Sequence, residues 1–92
     1  MMATPNSLRR PEEIALSLQL PQGYRIVKQH IDGGNPWGLW CGGSMVGRVS
    51  VAYSCRSDDW KVRIVTNTEY ATSCDPEDFY TTLAGLRVRG LI

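Results

Sequence analysis

Three cysteines (Cys41, Cys55 and Cys74) and one histidine (His30) are the side chains of this 92-residue chain best suited to holding a metal or forming a nucleophile and its base. A zinc site of three Cys and one His normally takes two ligands from one tight turn, and no Cys-x-x-Cys spacing is present to provide them. A Cys–His couple needs a thiolate in a positive environment beside His30, and no motif supplies one. The carboxylates gather as Glu12–Glu13 and as Asp75, Glu77 and Asp78. Both groups stand where a helical pattern opens, so their charge complements the helix dipole and needs no acid–base chemistry to explain it. Two glycine pairs, Gly33-Gly34 and Gly42-Gly43, have backbone N–H groups of the kind that cradle phosphates. Neither leads into Lys-Ser/Thr or a helix, and both read as hairpin turns. The chain is therefore expected to be non-enzymatic, with no cofactor and no metal.

The elements that must carry any other function belong to a small protein. At this length folding buries roughly 60–65% of the surface the unfolded chain exposes, so the core must be thin. A hydrophobic content of 42%, with three Trp, four Tyr and one Phe, is enough to form it. Ten Lys and Arg against nine Asp and Glu leave a net charge of +1, too little for a protein that coats DNA. An odd cysteine count without an Asn-x-Ser/Thr sequon suits a reducing compartment. Met1 to Ser7 are not followed by the apolar stretch of a signal peptide, and no run of eighteen apolar residues occurs. One domain over residues 1–92, with 1–7 flexible, and a cytoplasmic location are expected.

Periodicity sets out the elements in order. Pro11 followed by Glu12 and Glu13 opens a short helix to about Gln19, although Ile14, Leu16, Leu18 and Leu20 also alternate as a strand would. Pro21 ends it. Gly23 to Ile31 has strand composition, Asp32 to Pro36 is a turn, Trp37 to Cys41 is a second strand, and Met45 to Ser54 a third. After a polar turn over Arg56 to Asp59, Trp60, Val62 and Ile64 alternate with Lys61 and Arg63 in a fourth. Asp75 is the expected N-cap of a helix from Pro76 to about Val88, with Phe79, Leu83 and Leu86 as its buried stripe. The fold class is α+β: one antiparallel meander of three to four strands, a short N-terminal helix, and a C-terminal helix packed on one face.

Five of the ten basic residues (Arg25, Lys28, Arg48, Lys61 and Arg63) fall inside these strands, and every acidic residue falls outside them. Val49, Val51, Trp60, Val62 and Ile64 take one face of strands three and four; Arg48, Ser50, Ala52, Lys61 and Arg63 take the other. Trp37 and Trp40 have opposite parity, so one of them is expected to face outward near Arg48. A nearly neutral chain would then carry one positive face, and local fields of this kind select partners. Arg48, Lys61 and Arg63 are the candidate contact residues, with Arg25, Lys28 and Trp40 as extensions. Tryptophan beside arginine suits a protein interface or a stacking platform for unpaired bases.

The order of elements around Pro11–Gln19, Gly23–Thr66 and Pro76–Val88 is similar to that of double-stranded-RNA-binding domains, whose second helix opens with lysines. Here it opens with Asp75-Pro76-Glu77-Asp78, the opposite sign. Trp37 to Val88 loosely resembles the sheet-plus-helix of arm-type, integrase-like DNA-binding domains, which implies Arg48, Lys61 and Arg63 in a major groove. In size and type the whole chain resembles small inhibitors encoded by phages and other mobile elements, such as anti-CRISPR proteins. That resemblance implies a partner that is a host protein or ribonucleoprotein complex, for instance a CRISPR effector, met in the host cytoplasm through guide RNA or an acidic protein surface. The alternative it leaves open is a DNA- or RNA-binding module.

Overall fold

Alternating burial is strongest between Ser44 and Thr66, where two long strands pair over eight register positions from Gly47↔Thr66 to Ser54↔Asp59. The computed structural model describes residues 8–29 and 36–92. Within them the chain runs α1 (Pro11–Ser17), β1 (Tyr24–Lys28), β2 (Trp37–Cys41), β3 (Ser44–Ser54), β4 (Asp59–Thr66), β5 (Ala71–Cys74), a 3-10 turn (Pro76–Asp78) and α2 (Phe79–Val88). The strands form a five-stranded sheet in the order β1-β2-β3-β4-β5, every neighbour antiparallel. The expected α+β meander is present, with one strand more than the sequence showed. His30, Ile31, the Asp32–Asn35 turn and residues 1–7 lie outside the described residues.

The strand missed was β5, because Ala-Thr-Ser-Cys has no apolar alternation to announce it. It is placed by a turn over Asn67 to Tyr70: Tyr70 N donates to Thr66 Oγ1 (3.1 Å), and Thr66 N donates to Tyr70 O (2.8 Å). β4 is thereby an inner strand. Its start also moves: Asp59 belongs to β4 rather than to the preceding turn, so one carboxylate does fall within a strand.

Both helices cover the same face. Ile14 and Ala15 of α1 and Leu18 just beyond it are buried while Leu16 is 88% exposed, which is helical spacing and excludes the competing strand reading. The helix stops at Ser17, two residues earlier than expected: Leu18 is already extended (ψ 133°), and a helix continued through Pro21 would set the proline ring against the Ser17 carbonyl. In α2, Phe79, Leu83 and Leu86 are buried as the spacing requires, and they join Leu39, Val49, Val62, Ile64 and Trp60 in one core cluster. The helix ends on Gly90 (φ 74°): Leu91 N donates to Leu86 O (2.9 Å) and Gly90 N to Arg87 O (3.0 Å). Only glycine takes that left-handed position without strain.

Asp75 does not cap the helix with its side chain. The first turn, Pro76–Asp78, is 3-10, closed by Asp78 N donating to Asp75 O (2.9 Å), and the Asp75 carboxylate is drawn instead to Lys61 on the neighbouring strand. A charged partner outcompetes a backbone amide for the same oxygen.

At the β3–β4 turn, Tyr53 donates its phenol to the carboxylate of Asp58, a residue at φ 51°. This bond, with some burial behind it, pushes the Tyr53 phenol up to about 12. The stabilisation is therefore present below pH ~10, the ordinary tyrosine value, and is lost as pH rises toward 12. Asp58→Gly keeps the left-handed turn relaxed and removes the acceptor. It is expected to bring one tyrosinate absorbance transition at 295 nm down toward 10.

Candidate binding face of the sheet

Both helices lie on one side, and among the described residues no element covers the other face of the sheet. Cross-strand register assembles its side chains. Arg25 stands opposite Trp40, Gly38 opposite Arg48, Arg48 opposite Val65, Ser50 opposite Arg63, and Ala52 opposite Lys61. Arg25, Arg48, Lys61 and Arg63 are all exposed there. Four of the five strand cations thus share a face, as the alternation predicts.

Lys28 does not. It shares parity with Tyr24 and Ile26, stands opposite the buried Trp37, and its Nζ sits 2.6 Å from Glu12 of α1. Side chains alternate along a strand, so Arg25 and Lys28, three positions apart, must point to opposite faces. The hydrogen bond from Lys28 also holds the Glu12 carboxyl below its ordinary value. Lys28 is an inter-element tie on the helix side and no part of the outer face.

Trp40 is the outward tryptophan, and a β-bulge explains its surroundings. The β2–β3 register shifts between Leu39, opposite Gly47, and Trp40, opposite Met45, which leaves Val46 as the extra residue packed toward the core. Met45 is thereby turned outward, against simple alternation, and accepts from Gln29 Nε2 (3.2 Å). The Arg25 guanidinium lies over the Trp40 ring, 5.6 Å from its centroid. Gly38 makes room beneath: a Cβ there would meet Gln29 Nε2 at 2.8 Å and Trp40 Nε1 at 2.9 Å. The indole N–H is shielded yet has no acceptor, an unusual state for a buried donor. Gln29, Gly38 and Met45 were not legible as site residues, since only the bulge brings them together.

The cations differ in how free they are. Among the described residues the ion pairs are Arg9–Glu13 (3.1 Å), Lys28–Glu12 and Lys61–Asp75. Arg48 and Arg63 take part in none of them. Arg87 and Arg89 lie over the rings of Tyr24 and Tyr70, tying α2 to the sheet and the β4–β5 loop. Lys61 keeps its place on the face, but its charge is engaged: the hydrogen bond to Asp75 raises its pKa, so the pair persists through the ordinary lysine range and is lost only as pH climbs past it. Asp59 stands two residues away on the same face and adds to that effect. The positive field is therefore centred on Arg48 and Arg63 and fades toward Lys61. Asp75→Asn releases Lys61 and is expected to raise retention on a polyanion column at low salt, by a two- to threefold gain in affinity, an effect that disappears at high salt.

The sequence matches no protein-family model, and comparison with curated proteins and with solved structures found no match.

No three His, Cys, Asp or Glu side chains cluster as metal ligands would among the described residues. Cys55 is exposed in the β3–β4 turn, while Cys41 and Cys74 are partly buried on β2 and β5, and burial pushes the Cys74 thiol up, away from thiolate reactivity. Among the same residues no helix is long and apolar enough to cross a membrane.

Proposed function

We propose that this is a small non-enzymatic binding protein that lays the helix-free face of its sheet on a host nucleoprotein complex and blocks the path of nucleic acid there, in the manner of phage-encoded inhibitors of the anti-CRISPR type. The observation that carries the reading is the juxtaposition of Arg48 and Arg63, both exposed and, among the described residues, outside any ion pair and on a sheet face that no helix covers. Arg48 and Arg63 take no part in the core cluster, which lies on the other side of the sheet. Guanidinium groups suit such docking, since they bind phosphate and carboxylate through two parallel hydrogen bonds. The host cytoplasm, where reduced thiols persist, is the compartment this reading implies.

The test is target-DNA binding by guide-loaded CRISPR effectors with the protein present. Wild type is expected to block binding, Arg48→Glu/Arg63→Glu to lose the block, and Lys28→Gln, altered on the opposite face, to keep it. A double variant that still blocks removes the basic face from the mechanism. The DNA- or RNA-binding module is the second reading, and the Trp40–Arg25 pair favours it. It uses the same face but requires binding to free nucleic acid.

A further inference from the structure

The outward cations are not scattered; they fall on one diagonal. Register puts Arg25 beside Trp40, then Arg48 two strands over and two residues further along, then Arg63 one more strand over and two residues further still. With strands about 4.8 Å apart and a rise of about 3.4 Å per residue, the steps are about 12 Å and about 8 Å, and the line from Arg25 to Arg63 is about 20 Å long. On its floor, Gly38 and Ser50 flank it as small residues, Val27 and Val65 stand opposite Gly38 and Arg48 as apolar ones, and Ser73 on β5 lies opposite Arg63. It closes where Lys61 is held by Asp75 and Asp59 stands beside it, and it opens on the Trp40–Arg25 pair.

We propose that the anionic partner of this face is a single strand of nucleic acid lying across the sheet along that diagonal, its phosphates on Arg48 and Arg63 and one base stacked at Trp40 and Arg25. The proposal rests on the reading that this face is the docking surface and adds what lies on it. Three observations favour a single strand over a duplex or an acidic protein. A five-stranded face is about 19 Å across and cannot enter a major groove about 12 Å wide, whereas an unpaired strand lies flat on it. An aromatic ring under a guanidinium is a platform for a base, as on the sheets of single-strand RNA-binding modules, and an acidic protein surface has no use for it. The Trp40 N–H, without an acceptor, is a donor that a phosphate or base oxygen satisfies once the Gln29 side chain moves aside. A line of about 20 Å accommodates about four nucleotides, the low end of known sheet-based single-strand sites.

The experiment is fluorescence anisotropy of the full chain with labelled eight-nucleotide RNA and DNA strands, a sixteen-base-pair duplex and polyglutamate, all at about 50 mM salt. Single strands are expected to bind at least tenfold tighter than duplex, with the RNA and DNA arms showing which sugar is preferred. Trp40→Ala should weaken single-strand binding about tenfold and Trp40→Phe much less, with quenching of Trp40 emission on binding. Ser50→Glu, which places a charge in the floor and leaves Trp40 in position, should weaken it as well, and matching thermal melts show that each variant is folded. If duplex binds as well as single strands, or Trp40→Ala is silent, the single-strand assignment is overturned. If polyglutamate alone binds and Arg48→Glu/Arg63→Glu abolishes it, the docking face stands and its occupant is an acidic protein. If no probe responds to that double variant, the single-strand assignment is overturned, while the docking face itself is decided by the target-DNA blocking assay with the same variant.

Discussion

Arg48→Glu with Arg63→Glu is expected to weaken binding of an anionic partner about a hundredfold at low salt while leaving the fold intact. Each reversal replaces an attraction with a repulsion and is assigned about 1.4 kcal/mol, one decade of affinity. Both side chains are exposed and outside the core, so their replacement falls in the class of surface changes within about 0.5 kcal/mol of neutral for stability. The loss should appear chiefly in the association rate, because fixed surface charges steer encounter. On a single strand, the slope of log affinity against log salt should shrink by about 1.4, roughly 0.7 for each phosphate contact removed. Binding kinetics at three salt concentrations check this: an unchanged slope with reduced affinity would mean that the arginines act through something other than charge.

Phe79→Ala is expected to have the largest effect on stability. Phe79 opens α2 and is completely buried, in the same core cluster as Val62, Ile64 and Leu83. Truncating a buried phenylalanine removes its transfer free energy and leaves a cavity, together about 3–5 kcal/mol. A protein of this size holds only about 5–14 kcal/mol in all. The variant should lose at least about 15 °C in melting temperature, read by circular dichroism or calorimetry. The residue also sits where the 3-10 turn becomes α-helix, with no side-chain cap to compensate. Melting unchanged within a few degrees would show that α2 contributes little to the core.

The contrast between these substitutions follows the boundary between what the sequence disclosed and what it hid. Two-residue alternation at Trp60, Lys61, Val62, Arg63 and Ile64 marks both faces of β4, and burial follows that alternation. The stripe of Phe79, Leu83 and Leu86 was equally legible, because helical spacing is a local property. Legibility failed where a partner outside the local window decides. β5 is a strand because β4 offers it an edge, a pairing that Ala-Thr-Ser-Cys does not encode in hydrophobicity. Asp75 chose Lys61, 14 residues away, over its own helix. Lys28 was grouped with Arg25 by composition, although strand parity already separates them. The Trp40 surroundings depend on one extra residue, Val46, which composition cannot place.

The two-layer build has an evolutionary corollary. With the core cluster confined to the side under α1 and α2, residues such as Ser50, Ala52, Arg63 and Ser73 are released from any duty to the interior. Mutation can therefore redraw the outward side one position at a time while the melting point barely moves. Foldedness and the character of the outward side are inherited almost separately in this molecule.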